Sequence, residues 1–149
     1  MILFVDTGAC SGWALLDGGR VHASGTVHPD SIKGFAEARE LVSRADHLVI
    51  EGMGYLPRGC RYDTAYGMGV HAGLWLTLAR LRGISIEVIH PDTWQRAMLH
   101  MGRRNPGRAM LKRLSVARAE KLVRRAVKGD EADALVMSEY YMLSLGRRG

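Results

Sequence analysis

Two acidic residues each follow a short apolar run. Asp6 follows the run 2–5 and Glu51 follows the run 47–50, and both runs are typical of buried strands. If these strands are parallel neighbours, both carboxylates reach the same edge of the sheet. Open α/β sheets bind their ligands at that edge. The pattern therefore predicts a polar site at the carboxyl ends of the two strands.

A second pair of acids opens the last predicted helix. Asp130 and Asp133 are three residues apart and share a helix face, whereas Glu131 points elsewhere and is expected to be solvated. Four carboxylates on one patch would repel one another, and hard divalent cations such as Mg²⁺ would relieve that repulsion. Two such ions about 3.5–4 Å apart can clamp the attacking and leaving oxygens of a phosphodiester.

Each acid also has a simpler interpretation. Asp6 could accept hydrogen bonds from the amides of a Thr7-Gly8 turn. Asp130 and Asp133 could stabilise the helix dipole without any further role. The coincidence of two strand-end acids, a helical pair and a basic segment favours a shared site.

The positive charge of the chain is concentrated in one segment. Residues 103–128 carry ten Lys or Arg and one acid, Glu120, so this segment sums to +9 and the remainder to −3. A solvated helix face usually mixes both signs, and this segment barely does. The basic segment therefore suggests an anionic partner, with nucleic acid first, and beside four acids it suggests a nuclease.

The chain pattern predicts an α/β fold of one domain, residues 1–149. The order is a three-strand meander, then helix, strand, helix, strand and further helices, which predicts a mixed five-stranded sheet with helices on its faces. Asp30 or Ser31 is a plausible N-cap, and Gly129 is expected to break the basic helix from the last one. Strands are predicted at 2–5, 11–16, 21–27, 47–50 and 84–89, and helices at 31–44, 62–82, from 91, at 108–127 and at 130–145.

Composition narrows the protein class. No apolar run approaches the ~20 residues of a membrane helix, and no secretion signal is visible. Cys10 and Cys60 lie far apart without a CxxC spacing, which indicates neither a zinc site nor a disulfide framework. A reducing, cytoplasmic setting is expected.

Four segments carry a family resemblance. VDTGACSGWALLD, LVIEGM, IHPDTWQRAM and GDEADALVMSEYY resemble, in order and spacing, the RuvC family of Holliday junction resolvases, within the RNase H-like (retroviral integrase) superfamily. The resemblance spans nearly the whole chain and implies an RNase H-like fold. The chain is shorter than typical bacterial members, which fits a compact, phage-type relative.

The resemblance implies a specific chemistry. Asp6, Glu51, Asp130 and Asp133 would bind two Mg²⁺ or Mn²⁺ ions per active site, one to activate a water and one to stabilise the leaving 3′-oxygen. The expected products carry 5′-phosphate and 3′-hydroxyl ends. A homodimer would nick two symmetry-related strands of a four-way DNA junction. No membrane and no nucleotide cofactor is expected.

Several further residues are candidates for DNA or partner contacts. Tyr55 could insert into the junction as a wedge, or it could simply lie on the core. Trp94 is expected in the core, and the glycine-containing helix around Gly69 and Gly73 is the first candidate for the dimer interface. The predicted DNA-binding residues are Tyr55, Arg58, Arg61, Arg103, Arg104, Arg108, Lys112 and Arg113.

Three other functions stay open at this point. An RNase H-like nuclease could act on RNA–DNA hybrids, rRNA precursors or other branched DNA. The DxG after the first strand also occurs in actin-like and sugar-kinase ATPases, although that fold usually needs far more residues. A non-catalytic protein could use the basic segment alone. Replacing Asp6 by Asn would separate a nuclease, which should lose cutting, from a pure binding protein.

Overall fold

The computed structural model describes residues 1–8, 10–52, 61–99 and 107–146, and a single five-stranded sheet lies at its centre. The strands lie in the order β3-β2-β1-β4-β5 across the sheet. β1–β2 and β2–β3 are antiparallel, and β1–β4 and β4–β5 are parallel, which confirms the predicted mixed sheet. The strands are β1 (Ile2–Thr7), β2 (Ser11–Asp17), β3 (Arg20–Val27), β4 (His47–Glu51) and β5 (Ser85–Ile89).

Within the described residues, five helices flank the sheet. Ser31 caps the first of them, because its hydroxyl accepts a 3.0 Å hydrogen bond from the amide of Gly34. Gly83 ends the second in the left-handed conformation that glycine adopts without strain. The helices are α1 (Ile32–Ser43), α2 (Tyr62–Arg82), α3 (Pro91–Met98), α4 (Arg108–Val123) and α5 (Gly129–Gly146).

Hydrophobic residues fill both faces of the sheet. Leu3 and Val5 point to the face covered by α1 and α2, where Trp75 is fully buried. Phe4 and Val49 point to the opposite face, covered by α3, α4 and α5. Because strand side chains alternate between faces, Asp6 and Glu51 project on the same side as Phe4 and Val49, toward α5.

Two predicted boundaries were wrong. The basic helix was predicted to reach residue 127, but α4 ends at Val123, because Arg124 adopts a left-handed conformation with φ 56°. Gly129 was expected to break the chain between helices, yet it is the first residue of α5. Within the described residues, no helix combines the length and apolar character needed to cross a bilayer.

Candidate active site

The register of β1 and β4 brings two carboxylates together. Val5 lies opposite Ile50 in the parallel pair, so Asp6 and Glu51 come next on adjacent strands. β1 continues one residue beyond Asp6, which is therefore part of the strand and pairs with Gly12 rather than following the strand end. Besides burial, the charge of Glu51 raises the pKa of Asp6, as expected for two neighbouring carboxyl groups.

The N-terminal end of α5 brings the other two acids to the same edge. A Cβ on Gly12 would lie 1.8 Å from the carbonyl oxygen of Asp130, so only glycine lets α5 begin this close to β2. Asp133 lies close enough to Asp6 and Glu51 for its charge to raise the pKa of both. The sheet and α5 together therefore assemble the four predicted acids, with Asp130 nearer the solvent than Asp133.

Burial and mutual repulsion raise the pKa values of these acids. Asp6 is only 7% exposed, and burial, followed by the charges of Glu51 and Asp133, holds its pKa well above the usual range. Burial likewise raises the pKa of Glu51, and burial raises that of Asp133 although Lys112 lowers it. Positive charge placed among these acids would favour their ionised forms.

Lys112 of α4 supplies one positive charge to the cluster. Its Nζ donates to Asp130 Oδ1 at 2.9 Å and to Asp133 Oδ2 at 2.5 Å. Burial lowers the pKa of Lys112, but the charge of Asp133 and the hydrogen bonds to both acids outweigh this and raise it overall. Lys112 was predicted as a DNA contact within a basic segment, and nothing in its local sequence indicated this pairing with α5.

Three aromatic side chains hold the strand ends beneath the site. Trp94 is in the core, as predicted, and its Nε1 also donates to Glu51 Oε1 at 2.9 Å, a contact that sequence reasoning missed. On the other face, Trp75 Nε1 donates to Ser11 Oγ at 3.0 Å. His71 Nδ1 lies 3.0 Å from the carbonyl oxygen of Gly8, just beyond Asp6. The sequence feature that these three residues share is an aromatic side chain with a polar nitrogen, on a helix face that is otherwise apolar toward the sheet.

The expectation that Glu131 is solvated was wrong. Its side chain is buried and pairs with Arg125, and its Oε1 also accepts a 2.8 Å hydrogen bond from Ser24 of β3. Burial raises the pKa of Glu131, but the hydrogen bonds from Arg125 and Ser24 outweigh it and lower the pKa overall. Glu131 therefore joins α5 to β3 and to the α4–α5 connection.

The predicted DNA contacts divide into three groups. Tyr55, Arg58, Arg103 and Arg104 lie outside the described residues, as does Cys60. Arg61 precedes α2, where its guanidinium lies 3.3 Å from Asp63, whereas Arg108 and Arg113 are exposed on α4. Lys112 lies in the carboxylate cluster. The DNA-contact role of all of these residues stays a prediction.

Part of the basic segment is neutralised inside the protein. Besides Lys112 and Arg125, Arg118 forms a two-pronged pair with Glu139 of α5, at 2.7 and 2.9 Å. Counting acids within the segment alone, as the sequence analysis did, overlooks those that α5 supplies. Among the described residues of the segment, exposed cations such as Arg108 and Arg113 stay available to an anionic partner.

The donor set suits a hard divalent cation, but its present conformation is not a finished metal site. All four acids offer carboxylate oxygens, the ligands that Mg²⁺ and Mn²⁺ prefer, and the ammonium group of Lys112 offsets only part of their negative charge. Within residues 1–8, 10–52, 61–99 and 107–146, no group of three or more His, Cys, Asp or Glu side chains is arranged to hold a metal ion. Two of the four carboxylates are instead turned to Lys112.

Comparison with known proteins bears on the fold. No protein-family model matches the chain, and no curated protein sequence matches it closely. A Thermus thermophilus RuvC structure superimposes with a TM-score of 0.66 and 15% identity, over 98% of this chain and 95% of that one. T. thermophilus RuvC in complex with a Holliday junction substrate gives a TM-score of 0.67 at 15% identity, over 99% and 95%. The chain therefore has a RuvC-like, RNase H-like fold, as its four sequence segments predict.

Proposed function

We propose that the protein is a metal-dependent, structure-selective DNA endonuclease that resolves four-way junctions by paired, symmetric nicks. The observation that carries the proposal is the convergence of Asp6, Glu51, Asp130 and Asp133 at one edge of a RuvC-like sheet. A buried cluster of like charges is costly for stability unless it serves a ligand, and carboxylates select a hard cation.

The four acids would hold two Mg²⁺ or Mn²⁺ ions, which when bound supply an activated water and stabilise the leaving 3′-oxygen. The chain itself supplies rigidity. Asp6 is fixed within a central strand, and Trp94 orients Glu51 and favours its ionised form through a charge-assisted hydrogen bond. Gly12 lets the first turn of α5 approach the sheet. The proposed products carry 5′-phosphate and 3′-hydroxyl ends.

The fold neighbours support the choice of substrate. One of the similar structures is a RuvC bound to a Holliday junction, and this chain covers nearly all of it. Arg108 and Arg113, two exposed cations of α4, lie within four residues of Lys112 and therefore on the same helix that contacts the acids. Phosphate contacts of this kind would position a DNA arm without reading its sequence.

The test is a nicking assay on a sequencing gel. Purified protein would meet an immobile four-way junction, a duplex of the same sequence and an RNA–DNA hybrid, each with Mg²⁺, Mn²⁺ or EDTA. The proposal expects paired nicks on the junction that require the metal. Asp6→Asn should abolish cutting and keep junction binding, since it removes a ligand but leaves the exposed cations in place.

Other outcomes redirect the proposal. Cutting of the hybrid instead of the junction would keep the four-acid site and move the substrate to RNA. Junction binding without any cutting, by either wild type or Asp6→Asn, would contradict the catalytic proposal and leave a DNA-binding protein.

We also propose that the active form is a homodimer formed through α2. Tyr62 and Tyr66 stack on each other while 79% and 63% exposed, and Val70, one turn further on, is also exposed. A Cβ on Gly73 would meet nothing within 4 Å, so this glycine is not required by packing on the sheet and leaves room for a second helix. These residues form an uncharged stripe on one helix face.

Light scattering during gel filtration tests the dimer. The wild type is expected to elute as a dimer, and Val70→Glu as a monomer, because two copies would then bury a carboxylate each at the interface. Thr64→Glu on the same helix is a control for added charge, since Thr64 is exposed off the stripe. A monomeric wild type at micromolar concentration would contradict this interface.

A further inference from the structure

We propose that Lys112 is an internal counter-ion that a divalent cation must displace, so that this lysine sets the metal affinity of the site. The inference rests on the proposed metal-dependent function and concerns its regulation. Its basis is the position of Nζ, 2.9 Å from Asp130 Oδ1 and 2.5 Å from Asp133 Oδ2. These oxygens belong to two of the four acids proposed as metal ligands.

One oxygen cannot serve both cations equally well. An ammonium group donates hydrogen bonds to carboxylate lone pairs, and a divalent ion needs those same lone pairs for coordination. The positive charge of Lys112 would also repel a divalent ion at this short range. Metal binding therefore requires that Lys112 leave at least one of its two partners.

The structure gives Lys112 a route away from the acids. The side chains of Lys112 and Asp130 are 36% and 38% exposed, whereas that of Asp133 is 15% exposed. Its flexible stem runs across Gly129, where a Cβ would lie 2.6 Å from Cε and 3.3 Å from Cδ. The contact is thus half-exposed at the edge of the cluster, and the lack of a side chain on Gly129 leaves room for the stem of Lys112.

Charge balance explains why the contact of Lys112 with the two acids is useful. Without a metal, four carboxylates of which three are largely buried would face one another with no compensating charge. Lys112 neutralises part of that charge and ties α4 to the first turn of α5. A divalent cation would compensate more charge, so the exchange is favourable only when enough metal is present.

Isothermal titration of the full-length protein with MnCl₂ tests this directly, without DNA and without an activity readout. Lys112→Met keeps the length of the side chain and removes its charge. Lys121→Met is the matched control, because Lys121 is an exposed lysine on α4 nine residues away, about 13 Å along the helix axis. We expect Lys112→Met to bind Mn²⁺ about tenfold more tightly than wild type, or about 1.4 kcal/mol, and Lys121→Met to match wild type.

The possible results separate this inference from the proposed function. Equal Mn²⁺ affinity in wild type and Lys112→Met would overturn the counter-ion role and leave the metal site standing. Equal tightening by Lys112→Met and Lys121→Met would also overturn it, since the effect would then be one of general charge. No Mn²⁺ binding by any variant at millimolar concentration would overturn the proposed metal dependence as well.

A second variant keeps the test valid if Lys112→Met folds poorly. Gly129→Ala retains the lysine charge but pushes its stem aside, and the backbone of Gly129 does not need a positive φ. We expect Gly129→Ala to bind Mn²⁺ more tightly than wild type. In wild type, the ¹⁵Nζ signal of Lys112 should show slow proton exchange in EDTA and lose that protection when Mg²⁺ saturates the site. An ammonium signal that Mg²⁺ leaves unchanged would overturn the proposal.

Discussion

Replacing Trp94 by Phe removes one hydrogen bond from the site and leaves the core nearly filled. Trp94 is 1% exposed, and its Nε1 donates to Glu51 Oε1 at 2.9 Å. Burial raises the pKa of Glu51 overall, while the bond from Trp94 lowers it. Losing the donor should therefore raise the pKa of Glu51 further and make its ionised form harder to reach.

The size of the effect follows from the kind of bond. A hydrogen bond to a charged group contributes about 1.5–3 kcal/mol, and one between neutral groups about 0.5–1.5 kcal/mol. The difference, about 1–1.5 kcal/mol, depends on pH because it requires ionised Glu51. At about 1.4 kcal/mol per pH unit, the acid limb of nicking activity should move upward by about one unit.

Two measurements check this prediction, and Trp75→Phe is the matched control. Trp75 is also fully buried, but its Nε1 donates to the neutral hydroxyl of Ser11. Urea unfolding in EDTA should show a cost for Trp94→Phe that grows from pH 5 to pH 8, and a constant cost for Trp75→Phe. The reasoning is refuted if both variants show the same pH dependence, or if the acid limb of Trp94→Phe coincides with that of wild type.

Three further perturbations have a defined direction. Because folding raises the pKa of Asp6, the stability of the metal-free protein should fall as the pH rises from the pKa of the unfolded state, near 4, through the pKa of the folded state. Asp6→Asn should therefore unfold at a higher temperature than wild type at pH 8 in EDTA, and lose that advantage at pH 4. Gly12→Ala should lower the free energy of unfolding by about 1–3 kcal/mol and suppress cutting, since the added Cβ would overlap the first turn of α5. Calorimetry of Gly67→Ala, a change at an open position, should show no loss of stability. Glu131→Gln should lower the free energy of unfolding by about 1–2 kcal/mol at pH 7. The loss is modest because the partner Arg125 is 48% exposed, so that water screens the ion pair. Since the folded pKa of this acid is lowered, chemical denaturation should show the cost shrinking as pH falls below about 4.5, and a cost constant with pH would contradict the ion pair.

The strands and the first pair of acids follow from local sequence. Short apolar runs identify β1 and β4 as strands, and the helix α1 before β4 is consistent with its parallel pairing to β1. The sequence analysis took the parallel pairing of these strands as a condition, and the observed register then sets Asp6 and Glu51 side by side. This part of the site was predictable because each acid comes directly after an apolar run.

The contacts between α4 and α5 were not predictable in the same way. Lys112 and Arg118 of α4, and Arg125 just after it, each pair with an acid on α5 that lies between 6 and 21 residues away. Helical periodicity tells which residues share a face of one helix, but not which face of a neighbouring helix they meet. The burial of Glu131 has the same origin, because it depends on how far α5 reaches across β3.

The acids and their counter-ion belong to different structural units, and this division follows from the contacts. Asp6 and Glu51 are fixed by strand pairing, while the first turn of α5 is held against β2 at Gly12. Lys112 belongs to α4, which meets α5 but joins it through a connection where Arg124 is left-handed. The position of Lys112 therefore depends on how α4 packs on α5, which the Arg118–Glu139 pair also holds. The charge balance of the site thus depends on the α4–α5 contact, whereas the positions of Asp6 and Glu51 depend on the sheet.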